Sequence, residues 1–336
     1  MKPYFIAACL ILGFVLVVPA AIVVPFSNDG TAVATPPELE ANVPEPQAPI
    51  SPFSISVYRT SENEVETVPL EKYVVGVVAS EMPANFELEA LKAQALAART
   101  YIVHYLLNPP DLNLPDGAQV TDTPMNQVYN DPQQLKEIWG ADYDWKIAKI
   151  RKAVDETRGQ IITYNGKPIT VAFFSTSNGY TESADAYWQN ALPYLQSVPS
   201  PWDRQSPKFA STETIPTAEV EAKLGVSLTE DGKIGEVLKT TPGHRVGEIK
   251  IDGTVFSGRE VRETLNLRST DFSMTRQGDE VIVRTKGWGH GVGMSQYGAN
   301  GLAGEGKTYK QIVKYYYRGV SISDLKPYTA KLTAVK

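Results

Sequence analysis

Glu81 closes an apolar stretch, Val77-Val78-Ala79-Ser80-Glu81, and Pro83 follows two residues later. Apolar neighbours and the negative end of a helix both disfavour an ionised carboxylate, so we expect the pKa of Glu81 to be raised. A carboxylic acid that stays protonated near neutral pH can deliver a proton to the leaving oxygen of a glycosidic bond. The alternative is a solvated glutamate at a helix end, the usual situation for this residue type. The sequence makes Glu81 the candidate general acid.

Basic side chains follow on the next predicted helix. Lys92 and Arg99 are seven residues apart, which places them on one helix face, and Gln94 lies between them in the sequence. We expect this face to hold an acidic polymer. A solvated basic stripe with no ligand is the alternative.

A third candidate is His290, in the glycine-rich loop Gly287-Trp288-Gly289-His290-Gly291-Val292-Gly293. Glycine lets the backbone approach a ligand closely, so a functional histidine is favoured here over a packed core residue. A nucleotide-binding P-loop is one rival, but the Lys-Ser/Thr pair of that motif is missing. A serine hydrolase with Ser175 and His290 is another, but no G-x-S-x-G motif surrounds Ser175.

Composition limits the classes of protein that the chain can belong to. It has 336 residues, 42% of them hydrophobic, enough for one large or two modest domains. The formal net charge is -6 and no long Lys/Arg cluster occurs, so a nucleic-acid partner is not expected. The only cysteine, Cys9, lies in an N-terminal apolar run, so the folded part can form neither a disulfide nor a thiolate metal site.

The first 52 residues divide into three segments. A long uncharged run follows Lys2, which predicts a cytoplasmic N-terminus at 1–4 and a transmembrane anchor at 5–26, with the rest of the chain outside. A cleavable signal peptide is the alternative, because Val18-Pro19-Ala20 resembles a cleavage site. Residues 27–52 are rich in proline, carry acidic side chains and lack Lys and Arg, which predicts a disordered tether.

Hydrophobic periodicity and turn residues predict the elements that must position these side chains. The strongest turn signal is Asn165-Gly166, which suits a type I′ hairpin, and Asn85 is a candidate N-cap. Residues 108–130 are expected to form a long loop that shapes a surface. The predicted elements are hairpins at 53–68, at 160–174 and around Asp252-Gly253, helices at 70–81, from Asn85 to Tyr105, and at 143–157, 218–224, 294–302 and 309–317, a short helix after Ser257 and a strand at 280–284.

Such a mixture predicts an α+β fold of helices and antiparallel sheets, with no internal repeat. One catalytic domain is expected over 53–325, within which 211–285 could be a subdomain. Residues 326–336 are expected to form a C-terminal tail.

Several motifs together resemble one family, that of stage II sporulation protein D. The resemblance covers roughly residues 53–325, and the motifs follow the family's order along the chain. These motifs are Ser80-Glu81-Met82-Pro83, Leu91-Lys92-Ala93-Gln94-Ala95, Ala98-Arg99-Thr100-Tyr101, Ser175-Thr176-Ser177, Leu192-Pro193-Tyr194-Leu195 and Gly289-His290-Gly291-Val292-Gly293-Met294-Ser295-Gln296-Tyr297-Gly298-Ala299.

The resemblance implies a lytic transglycosylase that cuts peptidoglycan glycan strands, preferring strands stripped of stem peptides, during engulfment of the forespore. Glu81 matches the family's catalytic acid. One carboxyl would protonate the leaving oxygen and then act as base while the 6-hydroxyl of muramic acid closes onto C1, giving a 1,6-anhydro end. The helices and antiparallel sheets would surround a glycan-binding groove and would follow a single N-terminal transmembrane helix.

By the same resemblance, other side chains would bind the substrate. We expect Lys92 and Arg99 to pair with the lactyl carboxylates that stem-peptide removal exposes. The other predicted groove residues are Gln94, Tyr164, Ser175, Tyr194, His290, Gln296 and Tyr297. Some relatives hold a zinc ion, but the matching positions here are Thr121, Met125, Asn126 and Phe174, so neither a metal nor another cofactor is expected.

The resemblance also implies partners and a location. The expected partners are stage II sporulation proteins P and M. The expected location is the outer side of the cell membrane, between the mother-cell and forespore membranes. Two alternatives to the lytic transglycosylase stay open. One is a non-catalytic peptidoglycan-binding module, because relatives of the domain resemble amidase enhancers. The other is a glycoside hydrolase with reducing-end products, which would need a water-activating base that the sequence does not reveal.

Overall fold

The computed structural model describes residues 51–110, 113–188 and 190–334. The predicted cytoplasmic segment, the transmembrane anchor at 5–26 and nearly all of the tether at 27–52 lie outside these residues. Within the described ranges, no helix is both long and apolar enough to cross a bilayer.

The described chain begins with a hairpin and two helices. Strands β1 (Ser54–Arg59) and β2 (Glu64–Pro69) pair antiparallel, as predicted from their alternating pattern. Helix α1 (Leu70–Glu81) follows directly and ends where predicted. Its end has a local cause: Pro83 disfavours helical geometry at Met82, which has φ -130° and ψ 134°.

Helix α2 (Leu88–Leu107) is the central element of the larger lobe. Every residue from Ala90 to Thr100 is buried, because its many alanines let neighbouring elements pack on all sides. The prediction that Asn85 caps this helix is wrong. Glu87 occupies the N-cap, while Phe86 turns back into the core and its N–H donates to the Pro83 carbonyl at 3.0 Å.

The segment after α2 packs on the hairpin and on α1. Strand β3 (Val120–Thr121) pairs parallel with β1, and helices α3 (Pro132–Trp139) and α4 (Tyr143–Asp155) follow. Helix α3 was not predicted, although Asp131 and Gln134 form a capping box at its start. Arg59, fully buried, joins β1 to this segment through Asp122 and Asp131, at 3.2 and 3.1 Å.

Two short strand pairs complete the larger lobe. Strands β4 (Gln160–Tyr164) and β5 (Lys167–Pro168) form the predicted hairpin, and Asn165 and Gly166 take the positive φ angles of 49° and 70° that a type I′ turn needs. The predicted second strand is cut short. Strand β6 (Phe173–Phe174) instead pairs parallel with a distant strand of the chain, described below.

A second lobe follows α5 (Ala184–Trp188) and a 3-10 turn at Pro201–Gln205. It has a hydrophobic core of its own, built from side chains between Val220 and Val283. Its elements are β7 (Ala210–Pro216), α6 (Thr217–Leu224), β8 (Gly232–Ile234), β9 (Glu236–Thr240), β10 (Val246–Ile251), β11 (Thr254–Ser257), α7 (Gly258–Leu265), β12 (Asp271–Gln277) and β13 (Glu280–Lys286). They form antiparallel sheets in the orders β7-β13-β12-β8 and β11-β10-β9.

The chain then returns to the larger lobe. Strand β14 (Met294–Ser295) pairs with β6, and α8 (Gln296–Gly304) and α9 (Tyr309–Tyr316) pack on α2. Strand β15 (Ser321–Asp324) adds to β4, and helix α10 (Lys326–Ala334) occupies the predicted tail. The α+β class is confirmed. The sheets are antiparallel as predicted, apart from the parallel pairs β1–β3 and β6–β14.

Candidate active site

Glu81 lies at the C-terminal end of α1 and is half-buried. It makes no ion pair with any residue that the structure describes. The chain turns away at Met82 and sends Ala84 and Phe86 back into the core. The carboxyl group is thereby held at a fixed point beside the junction of α1 and α2.

A loop from the other side of α1 reaches the same carboxyl group. The Ser80 hydroxyl donates to the Gly76 carbonyl at 2.7 Å and accepts hydrogen bonds from the Asn130 backbone and side chain at 3.1 and 2.8 Å. Two residues before Asn130, the Val128 N–H donates to the Glu81 carboxylate. The close approach requires Gly76, because a Cβ there would lie 2.4 Å from a ring carbon of Tyr129.

The surroundings of Glu81 favour its protonated form. Burial raises the pKa of Glu81 above its ordinary value of 4.5, and the hydrogen bond from Val128 acts in the opposite direction. The predicted direction of the shift is confirmed. A carboxyl group that holds its proton in this way can act as a general acid.

Three more of the predicted groove residues directly follow the paired strands β6 and β14, and one of them contacts Glu81. The Gln296 side-chain amide donates to the Glu81 carbonyl at 2.9 Å. The neighbouring Tyr297 donates its N–H to the Ser175 carbonyl at 3.1 Å, and its ring packs edge-on against Phe86 with centroids 4.9 Å apart. Glu81, Ser175, Gln296 and Tyr297, which come from three distant parts of the sequence, therefore form one site.

A buried carboxylate that was not singled out in the sequence anchors this arrangement. Asp203 is fully buried and accepts hydrogen bonds from the hydroxyls of Ser177, Ser200 and Ser295. Burial raises the pKa of Asp203, and these hydroxyl donors oppose that shift. Since Ser295 immediately precedes Gln296, Asp203 fixes the start of α8 and with it the side chain that contacts Glu81. No local sequence signal distinguishes it from a surface aspartate.

His290 is placed by the glycine-rich loop beside the same strand pair. Its Nδ1 accepts a hydrogen bond from the Val292 N–H at 3.0 Å, and its ring lies 5.8 Å from that of Phe174. Burial, together with the positive charges of Arg262 and Arg245, lowers the pKa of His290 to about 4. The imidazole is therefore neutral at physiological pH, with its proton on Nε2.

Aromatic side chains beyond the predicted set surround His290. The rings of Tyr187 and Trp188 lie 5.8 and 5.5 Å from its ring. The loop can pass so close to β6 because Gly293, at φ 80°, has no side chain: a Cβ there would lie 2.1 Å from the Ala172 carbonyl oxygen. The repeated glycines of the sequence are the signal of this contact.

The basic residues do not lie where the sequence led us to expect them. Arg99 is fully buried and pairs with Glu71 at 2.6 Å. Lys92 is nearly buried and pairs with Glu89 and Glu156, at 2.6 and 2.5 Å. The prediction that Lys92 and Arg99 form an exposed basic face is therefore wrong. This face of the helix packs against other elements, and nearby glutamates neutralise both cations.

The remaining polar residue of that helix is also inaccessible. Gln94 is fully buried, and its amide atoms have no hydrogen-bond partner among the described residues. The side chain cannot touch a ligand in this conformation.

Tyr164 and Tyr194 pack against each other. Their rings lie 5.3 Å apart, and the Tyr194 hydroxyl accepts a hydrogen bond from the Thr170 N–H at 3.1 Å. The Tyr194 carbonyl accepts from the Arg318 N–H at 2.9 Å. Neither Glu81 nor His290 takes part in these contacts.

The positions that the resemblance led us to compare with a zinc site carry other contacts here. Asn126 Oδ1 accepts hydrogen bonds from the Thr121 N–H and hydroxyl, at 2.9 and 3.1 Å. Met125 is exposed, and Phe174 packs beside His290. In the described part of the chain, no group of three His, Cys, Asp or Glu side chains is placed to hold a metal ion.

Comparison with known proteins finds relatives that share the region around Glu81. The family model described as Stage II sporulation protein (SpoIID) matches residues 58–164, which include Glu81. The chain is 49% identical to stage II sporulation protein D of Bacillus subtilis (strain 168) and 48% identical to that of Bacillus amyloliquefaciens, each over the full length of both proteins. It is also 28% identical to the amidase enhancer of Bacillus subtilis (strain 168), over 74% of this chain and 40% of that protein.

Full-length identity of this degree leaves one assignment. The family model covers the half-buried acid and the helix that carries it, and the full-length relatives extend the match to the glycine-rich loop and α8. The chain belongs to the stage II sporulation protein D family, a family of sporulation proteins.

Proposed function

We propose that this protein is a lytic transglycosylase that cleaves the glycan strands of peptidoglycan during forespore engulfment, with a preference for strands stripped of stem peptides. The observation that carries the proposal is the environment of Glu81: a half-buried carboxyl group without an ion-pair partner in the described chain, whose pKa is raised by burial. A proton donor at neutral pH needs this environment.

One carboxyl group is enough for the proposed reaction. Glu81 gives its proton to the glycosidic oxygen as the bond from that oxygen to C1 of muramic acid breaks. The 6-hydroxyl oxygen of the same sugar then bonds to C1 and loses its proton to the Glu81 carboxylate. Glu81 is thereby restored, no water is consumed, and the product carries a 1,6-anhydro end.

The neighbouring side chains have supporting roles in this proposal. Gln296 holds the Glu81 backbone, so the end of α1 cannot fray away from the loop that bears Val128. His290, neutral and held by the Val292 N–H and by a hydrogen bond to the Phe173 backbone, places its ring beside the site without adding charge. Tyr297 and Trp188, both partly exposed, provide ring faces of the kind on which sugars pack.

The family membership supports the biological setting. We propose that the protein works at the outer side of the cell membrane, between the mother cell and the forespore. We further propose that it acts with stage II sporulation proteins P and M, the first an amidase that removes stem peptides and the second a membrane protein that helps to hold the pair.

Mass spectrometry of digested glycan tests the activity. Peptidoglycan freed of stem peptides by an amidase is incubated with the full-length protein and with its Glu81→Gln variant. We expect 1,6-anhydromuramic ends from the wild type and at least about a 100-fold slower release from the variant, the usual contribution of a general acid. Reducing ends would instead identify a hydrolase, and the absence of any cleavage would contradict the proposal.

The amidase-enhancer relative supports one other candidate, a peptidoglycan-binding module that stimulates an amidase. Glu81→Gln separates the two functions, because a binding module needs no proton donor. If the variant keeps full biological activity in sporulating cells, the binding module is the right function. Intact affinity for glycan strands is the control that the variant is folded.

A further inference from the structure

Trp288 is contacted by two cations that come from different parts of the chain. The Lys208 ammonium lies 5.0 Å from the centroid of its ring, and the Arg268 guanidinium carbon lies 4.2 Å from it. Lys208 follows the 3-10 turn at Pro201–Gln205, and Arg268 follows α7 in the second lobe. We call these three residues the Trp288 cluster.

Neither cation of the Trp288 cluster has a carboxylate partner within the described residues. Some other cations on aromatic rings have carboxylate partners: Lys92 on Tyr309 pairs with Glu156, and Arg259 on Tyr187 pairs with Glu263. Single cations without an ion pair lie on the rings of Tyr143, Tyr309 and Tyr315, but among the described residues only Trp288 has two such cations on one ring. In a chain with a formal net charge of -6, two adjacent exposed cations without a counter-charge create a local positive potential.

The cluster is continuous with the candidate active site. The Trp288 N–H donates to the Thr176 carbonyl at 2.7 Å, and Thr176 follows Ser175 of the site. On the other side, the Arg268 carbonyl accepts a hydrogen bond from the Gly289 N–H at 2.9 Å, next to His290. A polymer that lies along the glycine-rich loop would therefore contact both Glu81's surroundings and the cluster.

We propose that the Trp288 cluster is the subsite that binds the free carboxylates of the glycan, a proposal that rests on the proposed function. Each muramic acid exposes a lactyl carboxylate once its stem peptide is gone. Lys208 and Arg268 offer charge-assisted hydrogen bonds to that group, and the Trp288 ring holds the two cations beside each other. An intact stem peptide removes this negative charge through its amide bond, which accounts for a preference for stripped strands. The cluster takes over the role that the sequence assigned to Lys92 and Arg99.

Binding measurements in a Glu81→Gln background test the subsite without cleavage. The Lys208→Ala/Arg268→Ala variant is titrated with stripped glycan strands and with chitin oligosaccharides of equal length, which lack the carboxylates. We expect about tenfold weaker binding of the stripped strands, the effect of losing two exposed charge contacts, and less than about a twofold change for chitin. The difference should shrink at high salt, because mobile ions screen exposed charges.

Two matched variants sharpen this test. Arg151→Ala/Lys250→Ala removes two exposed cations elsewhere, so it should leave both affinities within about twofold. Lys208→Arg/Arg268→Lys keeps both charges and should keep most of the affinity. Unchanged binding of stripped strands by the alanine variant, or an equal loss for both glycans, would overturn the proposal.

The outcomes also separate this inference from the proposed function. If the wild type releases no anhydro ends but the alanine variant loses affinity only for carboxylate-bearing strands, the subsite stands and the transglycosylase does not. If the wild type cleaves and the alanine variant binds normally, the transglycosylase stands and the subsite does not.

Discussion

At the scale of single residues, the proposed reaction depends on the protonation of Glu81. Its raised pKa means that the protonated carboxyl stabilises the folded chain relative to the ionised one. This contribution is complete below the ordinary value of 4.5 and is lost as pH rises through the higher value in the folded protein. Cleavage should decline over the same upper range, because the acid must be protonated before each turnover.

A pH series of thermal unfolding tests this linkage. Glu81→Gln is permanently neutral, so its Tm should equal that of the wild type near pH 4 and exceed it by a few degrees near pH 8. Glu236→Gln, an exposed carboxylate on β9, should show no such pH-dependent gain. Equal pH profiles for wild type and Glu81→Gln would mean that burial does not perturb the Glu81 carboxyl.

At the scale of elements, the loop that packs on α1 can approach it because Gly76 has no side chain. Gly76→Ala would place a Cβ within 2.6 Å of the Asn130 carbonyl oxygen and push the loop outward. We expect a loss of about 1–3 kcal/mol in the free energy of unfolding, measured with urea, and slower glycan cleavage because Val128 no longer reaches Glu81. Gly304→Ala on α8 is the matched control, since nothing lies within 4 Å of its added Cβ. Normal cleavage by Gly76→Ala would show that the loop does not position the acid.

The ion pair between α1 and α2 is a second test at this scale. Arg99 bonds to Glu71 of α1 and to the carbonyls of Val154 and Gln160, both at 3.3 Å, so it joins α1, α2, α4 and β4. Arg99→Ala would leave a buried carboxylate unpaired and should cost about 3–5 kcal/mol in urea unfolding. Arg99→Met combined with Glu71→Leu should recover most of that loss, because neither buried charge then remains. Full stability of Arg99→Ala together with weakened glycan binding would instead support the surface role assigned from the sequence.

At the scale of the whole molecule, local signals explain what sequence analysis found. Pro83 marked the end of α1, Asn165-Gly166 marked a hairpin, and the apolar run before Glu81 indicated a shifted pKa. These features depend on residues within one or two turns of each other. The α+β class followed from their order along the chain.

The wrong predictions concern features that depend on contacts between segments far apart in the sequence. Seven-residue spacing puts Lys92 and Arg99 on one face of α2, but only the packing of α1, α4 and α9 shows that this face is interior. The two-residue pairing of β6 with β14 is too short to leave a periodic signal. For the same reason, neither Asp203 nor the Trp288 cluster stood out in the sequence.

The hydrogen bond from Gln296 to Glu81 joins residues 215 positions apart. Contacts of such high sequence separation form late in folding, because a large loop must close first. When the ribosome has completed the family-matched segment at 58–164, Glu81 has been synthesised but Gln296 has not. The complete surroundings of Glu81 are thus acquired only near the end of translation, so a prematurely terminated chain would carry Glu81 without the Gln296 amide that contacts its backbone.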